Sequence, residues 1–398
     1  MFKALKRVVY QVSDLAGARQ WYAQVLETEP MIDSPFFVAF VVGDAMLALV
    51  PTSKPSPSCD ERIIAFWGVD DADAAYARLL ECGATVHTEI GTVMQTRAAK
   101  VIDPFGNIIG ITGSPGDAHK QPVEQRASES AHGVTFCRAL AALDDREAFR
   151  GPDHLAEIFL ADESRKILQS RASREYIIEK MVTPLLYGYV LARTRYFDGI
   201  FVEALEADIP QIVLLGAGYD SRAYRFADRL GSCRVFELDV ASTQQRKRQL
   251  LAKAQVAIPP QLTYVTINFK TDGIADVLSQ AGFDPATRTL FLWEGVTYYL
   301  TAEAVGDTLD FIKQDSGPGS AICFDYMNRH VDSVYAGEPF LFWMDSEEMP
   351  SLLSEHGLAI IEHLRPAEIE KQLLTGPDGT PFGQTLPYFD LVRATLQD

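Results

Sequence analysis

Two glycines and an acidic residue carry the first chemical signal in this 398-residue chain. In the stretch Ile212 to Phe226, IVLLGAGYDSRAYRF, an apolar run stops at Gly216-Ala217-Gly218 and gives way to an amphipathic segment. Glycine at the end of a strand lets the backbone approach a ligand closely, and the amides that open a following helix could meet one. About twenty residues further on, the run RVFELDV reaches Asp239, with Glu237 on the same face, where an adenosine ribose would find a carboxylate for its hydroxyls. A nicotinamide dinucleotide and S-adenosylmethionine both carry that ribose, so these residues alone leave both open. Ser221 stands where a dinucleotide fingerprint has Gly or Ala, which weakens the dehydrogenase reading.

Such residues need a sheet to hold them. Near-continuous apolar runs occur at Gln211–Ala217, Arg234–Val240, Leu262–Phe269, Thr289–Val296 and Ser320–Met327. Helical patterns near 221–230, 242–255, 273–281 and 301–314 separate them. Apolar strands joined by helices require right-handed crossovers and a sheet covered on both faces, which predicts a Rossmann-like, doubly wound α/β domain. In such a sheet the ligand lies beyond the carboxyl ends of the strands, where Gly216 and Gly218 fall.

Further stretches share the same half of the chain. ARTRYFD (Ala192 to Asp198), VLLGAGYDSRAYRF, VFELDV, GFDP (Gly282 to Pro285) and LWEGVTYYLT (Leu292 to Thr301), with DHLAEIFL (Asp153 to Leu160) upstream, resemble the leucine carboxyl methyltransferase-like family in order and spacing. The resemblance spans roughly residues 135–395. It implies a class I methyltransferase with S-adenosyl-L-methionine as cofactor and a carboxylate or hydroxyl of a small molecule as acceptor. It also implies Arg195 on the methionine carboxylate, Gly216 and Gly218 beside that moiety, Asp239 on the ribose, Asn268 and Phe269 bordering the adenine, and Glu294 facing the amino-acid end. The family commonly has Asp where Asn268 stands.

Each residue also has a plainer role: Arg195 in a surface ion pair, Glu294 as a cap, Asn268 in a turn. No unique general base stands out among His154, His330, His356 and Tyr298, so the catalytic residues stay unassigned. The insert Asn328 to Pro350, with Phe340, Phe342 and Trp343, reads either as an acceptor-pocket wall or as an ordinary packing segment.

The first part of the chain has a different pattern. RVVYQVSD reads as a strand, LAGARQWYAQVLE as a helix with Trp21, Tyr22, Val25 and Leu26 on one face, and FFVAFVVGDAMLALV as a hairpin turning at Gly43-Asp44. RIIAFWGVD, DADAAYARLLECG and the strands after them repeat the plan, giving an α+β domain of paired βαβββ units. VSDLAGARQWYAQVL, VDDADAAYARLLECGA and DPFGNIIGI resemble the vicinal oxygen chelate (glyoxalase and bleomycin-resistance) superfamily over about the first 112 residues. Members that do chemistry hold a divalent metal with His, Gln or Glu. The corresponding positions here are Arg7, Ile64 and Gly110, and His87 with Glu89 offers only two donors, so no metal is expected. A metal-free module for acceptor binding or for homodimerisation is the expectation.

Between the halves, Gly113 to Gly133 is rich in Gly, Pro, Ser and charge. The expected division is therefore 1–113, a linker at 114–133, and 134–398. Fifty-four acidic against 36 basic residues give a net charge of −18, which disfavours nucleic acid and anionic membrane surfaces as partners. The basic run at Gln244 to Gln249 reads as a solvated helix face. Five scattered cysteines, no apolar run of membrane length and an N-terminus without a signal-peptide core predict a cytoplasmic chain. An NAD-linked oxidoreductase and a small-molecule-sequestering protein remain the competing readings.

Overall fold

The computed structural model describes residues 4–26, 28–43, 45–51, 63–93, 96–102, 108–113, 129–269, 271–331, 334–335 and 338–397. The chain divides into two compact units, Met1–Pro122 with Lys166–Tyr176, and Val123–Arg165 with Ile177–Asp398.

In the first unit, β1 (Ala4–Val12), α1 (Leu15–Leu26), β2 (Ile32–Ser34), β3 (Phe37–Val42) and β4 (Ala45–Pro51) form one copy of the repeat. β5 (Ile63–Val69), α2 (Ala72–Glu81), β6 (Thr85–Val93), β7 (Thr96–Ile102) and β8 (Ile108–Gly113) form the other. All eight strands join in one sheet, in the order β2-β3-β4-β1-β5-β8-β7-β6. The β3–β4 hairpin turns at Gly43, whose φ of +60° suits glycine. Period-2 alternation divides the apolar residues between the faces. Val38, Phe40 and Leu49 pack with Tyr22 of α1, while Val69, Ala99 and Ile111 pack with Ala72 and Ala75 of α2. Val9, Ala48, Ile64 and Phe66 form a separate cluster. The side chains of Trp21, Val25 and Leu26, expected on one face of α1, lie outside the described residues, as does the tip residue Asp44.

The second unit begins with α3 (Glu129–Ala142), so residues 129–133, expected in the linker, are helical. Residues 131–133 of this polar helix start are half-buried, and residues 114–128 lie outside the described part. Along the chain, short helices α4 (Asp162–Leu168) and α5 (Arg171–Tyr176), the latter grouped with the first unit, and a π-helical turn (Ile177–Val182) precede the long α6 (Pro184–Glu206). The sheet then alternates with helices: β9 (Gln211–Leu215), α7 (Arg222–Arg225), β10 (Arg234–Asp239), α8 (Ala241–Lys253), β11 (Leu262–Thr266), α9 (Ile274–Gln280), β12 (Thr289–Trp293), α10 (Ala302–Gln314) and β13 (Ala321–Met327). A two-stranded ribbon of β14 (Val334–Tyr335) and β15 (Glu338–Pro339) follows, then α11 (Met349–Glu355), β16 (Leu358–Leu364), α12 (Pro366–Leu373) and β17 (Phe389–Leu396).

The strand order is β11-β10-β9-β12-β13-β17-β16, parallel through β13 and antiparallel for the last two strands. Every residue of β9 and β12 is buried. Phe236, Phe291, Trp293 and Phe324 form the centre of the core, where each large side chain removed from water stabilises the fold by about 1.5–3 kcal/mol. Chain reversal between β9 and its neighbours opens a crevice at the carboxyl ends of the strands, and the glycine turn sits there.

Candidate cofactor and acceptor site

β9 ends at Leu215 and the chain turns at Gly216 and Gly218, with φ of +69° and +49°, both left-handed. A Cβ on Gly216 would stand 2.7 Å from Val296 Cγ2. Parallel pairing of β10 with β9 brings Asp239 beside this turn. The Gly218 N–H donates to Asp239 Oδ2 at 2.5 Å, and the Val240 N–H donates to Oδ1 at 2.7 Å. Each carboxylate oxygen can accept further hydrogen bonds. Burial pushes the Asp239 carboxyl above its ordinary value, partly offset by those two N–H donors.

The turn offers little to a phosphate. Its amides are largely spent inside the protein: Ala217 N–H donates to the Leu238 carbonyl, Asp220 N–H to the Ala217 carbonyl, and Arg222 N–H to Asp220 Oδ1. The following helix α7 is a single turn. The sequence expectation of free amides opening a helix is corrected here, since a pyrophosphate needs several such donors.

Asp239 pairs with Thr266 in the β10–β11 ladder, and the Ile267 N–H donates to the Asp239 carbonyl, which places the chain after β11 next to the acid. Asn268 opens a turn there: its N–H donates to Asp272 Oδ2 at 2.9 Å and its carbonyl accepts from Thr271 and Asp272. Phe269 is 40% exposed.

At the end of β12, Glu294 lies between two guanidiniums. Arg193 Nε donates to Oε1 at 3.0 Å and Arg222 Nη2 stands 2.7 Å from Oε2. Burial works to raise the Glu294 carboxyl, but Arg222 and Arg193 overcome it and hold it below the ordinary value. Arg193 also reaches Asp325 Oδ2 at 3.0 Å and Tyr298 Oη at 3.3 Å. Asp325 in turn accepts from the Gly295 N–H and the Tyr189 hydroxyl. Arg222 continues the network to Asp198 and Asp220. One buried ionic lattice thus ties α6, the glycine turn, β12 and β13 together.

Arg195 is not part of it. Its guanidinium donates to the carbonyls of Ala148, Arg150 and Leu373 at 2.6, 3.2 and 3.1 Å, and lies over the ring of Phe382. Two residues apart on a helix, Arg193 and Arg195 point about 200° apart, so only one can face Glu294. Arg193, Arg222, Asp220 and Asp325 are the residues that sequence reasoning missed. The signal was the helical phase of Arg193, which it shares with the core residues Val190 and Phe197 of α6.

The base candidates are scattered. Burial and the neighbouring Asp325 push the Tyr298 phenol well up, so it stays protonated near neutrality. His356 pairs with Asp310 at 2.7 Å on α10, and His330 lies against Trp343. Beside Arg193, the rings of Tyr298, Phe340 and Phe389 pack edge to face, with Tyr299 tilted against them and Tyr189 stacked on Phe389. Phe340 of the insert therefore belongs to this aromatic wall, Phe342 packs into the core, and Trp343 is 48% exposed.

In the first unit, the three positions that the superfamily uses for metal hold Arg7, Ile64 and Gly110, none of them a metal ligand: Arg7 pairs with Phe66 and Ile64 with Val9 across β1–β5, and Phe66 pairs with Gly110 across β5–β8. His87 and Glu89 are exposed on β6. Among the described residues no group of three or more His, Cys, Asp or Glu converges on a metal site. These residues do not fit the superfamily's metal.

The family model "Leucine carboxyl methyltransferase" matches residues 131–313, and "Glyoxalase/Bleomycin resistance protein/Dioxygenase superfamily" matches residues 4–111. "Putative S-adenosyl-L-methionine-dependent methyltransferase YktD" of Bacillus subtilis is 32% identical over 219 residues, covering 51% of this chain and 72% of that protein. A relative of the same description from Mycobacteroides abscessus is 37% identical over 145 residues, 36% of this chain and 48% of that protein. The chain thus spans about half the length of that mycobacterial relative. Among solved structures, the 1,6-didemethyltoxoflavin-N1-methyltransferase of Burkholderia thailandensis matches 52% of this chain and 79% of its own, at 13% identity and a TM-score of 0.36. No helix among the described residues is long and apolar enough to cross a membrane.

Proposed function

The chain belongs to the leucine carboxyl methyltransferase family and is an S-adenosyl-L-methionine-dependent methyltransferase, and we propose that it methylates an oxygen, carboxylate or hydroxyl, of a small molecule. The observation that carries the reading of the site is Asp239 hydrogen-bonded to the glycine turn at Gly218, a carboxylate held still at the carboxyl edge of the sheet. In this reading Asp239 accepts the ribose hydroxyls, and Gly216 and Gly218 leave room for the methionine side. Asn268 and Phe269 border the adenine. Glu294 takes the amino group, and Arg193, in place of Arg195, sets the charge at the carboxylate end. The bound cofactor supplies an activated methyl group and its own leaving group.

The protein's share is alignment and exclusion of water. Tyr298, Tyr299, Phe340 and Phe389 supply an apolar wall next to Arg193. A carboxylate acceptor arrives already ionised and needs no base, which suits a site whose nearest phenol, Tyr298, is held protonated. The spent amides of the turn favour this reading over an NAD-linked one. We assign residues 134–398 to this chemistry and residues 1–113 to a metal-free module that binds a small molecule.

Calorimetric titration with S-adenosylmethionine and with NAD tests the proposal. Binding of the former and not the latter is expected, and Asp239→Ala should weaken it; folded protein that ignores S-adenosylmethionine would sink the site as drawn.

A further inference from the structure

On one face of the eight-stranded sheet, strand pairing sets Met46, Arg7, Phe66, Gly110 and Lys100 side by side. This face also carries Val9, Ala48 and Ile64, and α1 and α2 pack against the opposite one. Gly110 is required here: a Cβ would stand 2.7 Å from the Phe66 ring. The ring therefore lies flat against the backbone of β8, and the Arg7 guanidinium lies over it, 4.7 Å from the centroid.

Among the described residues no carboxylate pairs with Arg7, and its buried Nε has no hydrogen-bond partner. Burial pushes its pKa down. The next cation in the row is Lys100, in a chain of net charge −18. A guanidinium over a ring face keeps its N–H groups in its own plane, from which two can make parallel hydrogen bonds to a planar or tetrahedral oxyanion. Leaving it unpaired costs desolvation free energy that such a ligand would offset.

We propose that this face of the first unit's sheet is an anion site in which Arg7, seated on Phe66 beside Gly110, holds the carboxylate or phosphate group of a small organic acid. This rests on the reading of the module as a metal-free binder and names the ligand chemistry that it takes. One of the positions that would ligate a cation in metal-binding relatives here holds a cation of its own, Arg7, and calls for an anion.

Thermal melting of the full chain at constant ionic strength, in chloride, acetate or inorganic phosphate, tests this in the wild type, Arg7→Met and Arg7→Lys. The wild type should melt higher in acetate or phosphate than in chloride, response to phosphate alone marking a phosphoryl ligand and response to both a carboxylate. Arg7→Met should bind the effective anion about tenfold or more weakly, the loss of one charge-assisted contact. It should melt no lower than the wild type in chloride, because it removes a half-buried charge whose buried Nε has no partner. Arg7→Lys should keep part of the anion response, which covers the case in which Arg7→Met folds poorly. S-adenosylmethionine affinity, measured alongside, should be the same in all three, so that a failure of the cofactor site is seen separately. A wild type indifferent to both anions, or an Arg7→Met variant that responds as the wild type does, overturns the proposal.

Discussion

Asp239 accepts two backbone N–H groups and, in the function proposed, two ribose hydroxyls as well, so its protonation state bears directly on cofactor affinity. Its folded pKa lies above the ordinary carboxylate value because burial outweighs the donors. The charged form is the better acceptor, so S-adenosylmethionine affinity should be full above the raised pKa and fall as pH drops through it, at a higher pH than an unperturbed Asp would show. Asp239→Asn, which mimics the protonated state, should bind weakly and without that dependence; Asp239→Ala should lose about 10- to 100-fold. Titrations from neutral to mildly acidic pH check the sign, and affinity that rises on acidification refutes it. The two arginines of ARTRYFD give the second test at this scale. Arg193→Lys should weaken S-adenosylmethionine binding by about tenfold, whereas Arg195→Lys, at a residue held by carbonyls of neighbouring segments and the Phe382 ring, should leave it nearly unchanged. The reverse ranking restores Arg195 to the site. The residue types were legible in the sequence, but which arginine faces inward is a matter of helical phase within a heptapeptide that carries both.

At the scale of elements, the turn after β9 depends on glycine for two separate reasons, a left-handed φ and a Val296 methyl 2.7 Å from where a Cβ would be. Gly216→Ala should destabilise the second unit by about 1–3 kcal/mol, read as a lower denaturant midpoint. Adding Val296→Ala should recover the steric part and leave the conformational part. A single variant as stable as the wild type would mean that the turn relaxes. The five apolar strands of the parallel sheet could be read from composition because both their faces are buried. β16 and β17 could not, since LAIIEHL and FDLVRATL carry charged residues inside the run, and no crossover helix announces an antiparallel pair. The start of α3 was hidden for a related reason: residues 129–133 are polar enough to read as linker.

For the molecule as a whole, the buried carboxylates pull stability in opposite directions along the pH axis. Asp220 and Glu294 are held low, their burial overcome by Arg222 and, at Glu294, by Arg193 too. Their contribution is present above the unfolded carboxylate value and is lost as pH falls through their depressed folded values. Glu237 has the other sign. Buried on β10 against Lys247, whose Nζ is 2.7 Å away, it is pushed up to about 7 by desolvation, with Lys247 pulling it back only in part. Its folded form holds a proton that the unfolded chain has released between the ordinary Glu value and about 7, so this group's contribution is present at acidic pH and declines as pH rises through that window. Stability should therefore peak on the acidic side of neutrality. Glu237→Gln cannot titrate and should flatten the decline between mildly acidic and neutral pH, whatever the cost of leaving Lys247 unpaired does to the height of the curve. The slope, not the height, is the readout: melting temperatures across that interval that fall equally steeply in both proteins would show that Glu237 is ionised throughout, with Lys247 and not burial in control.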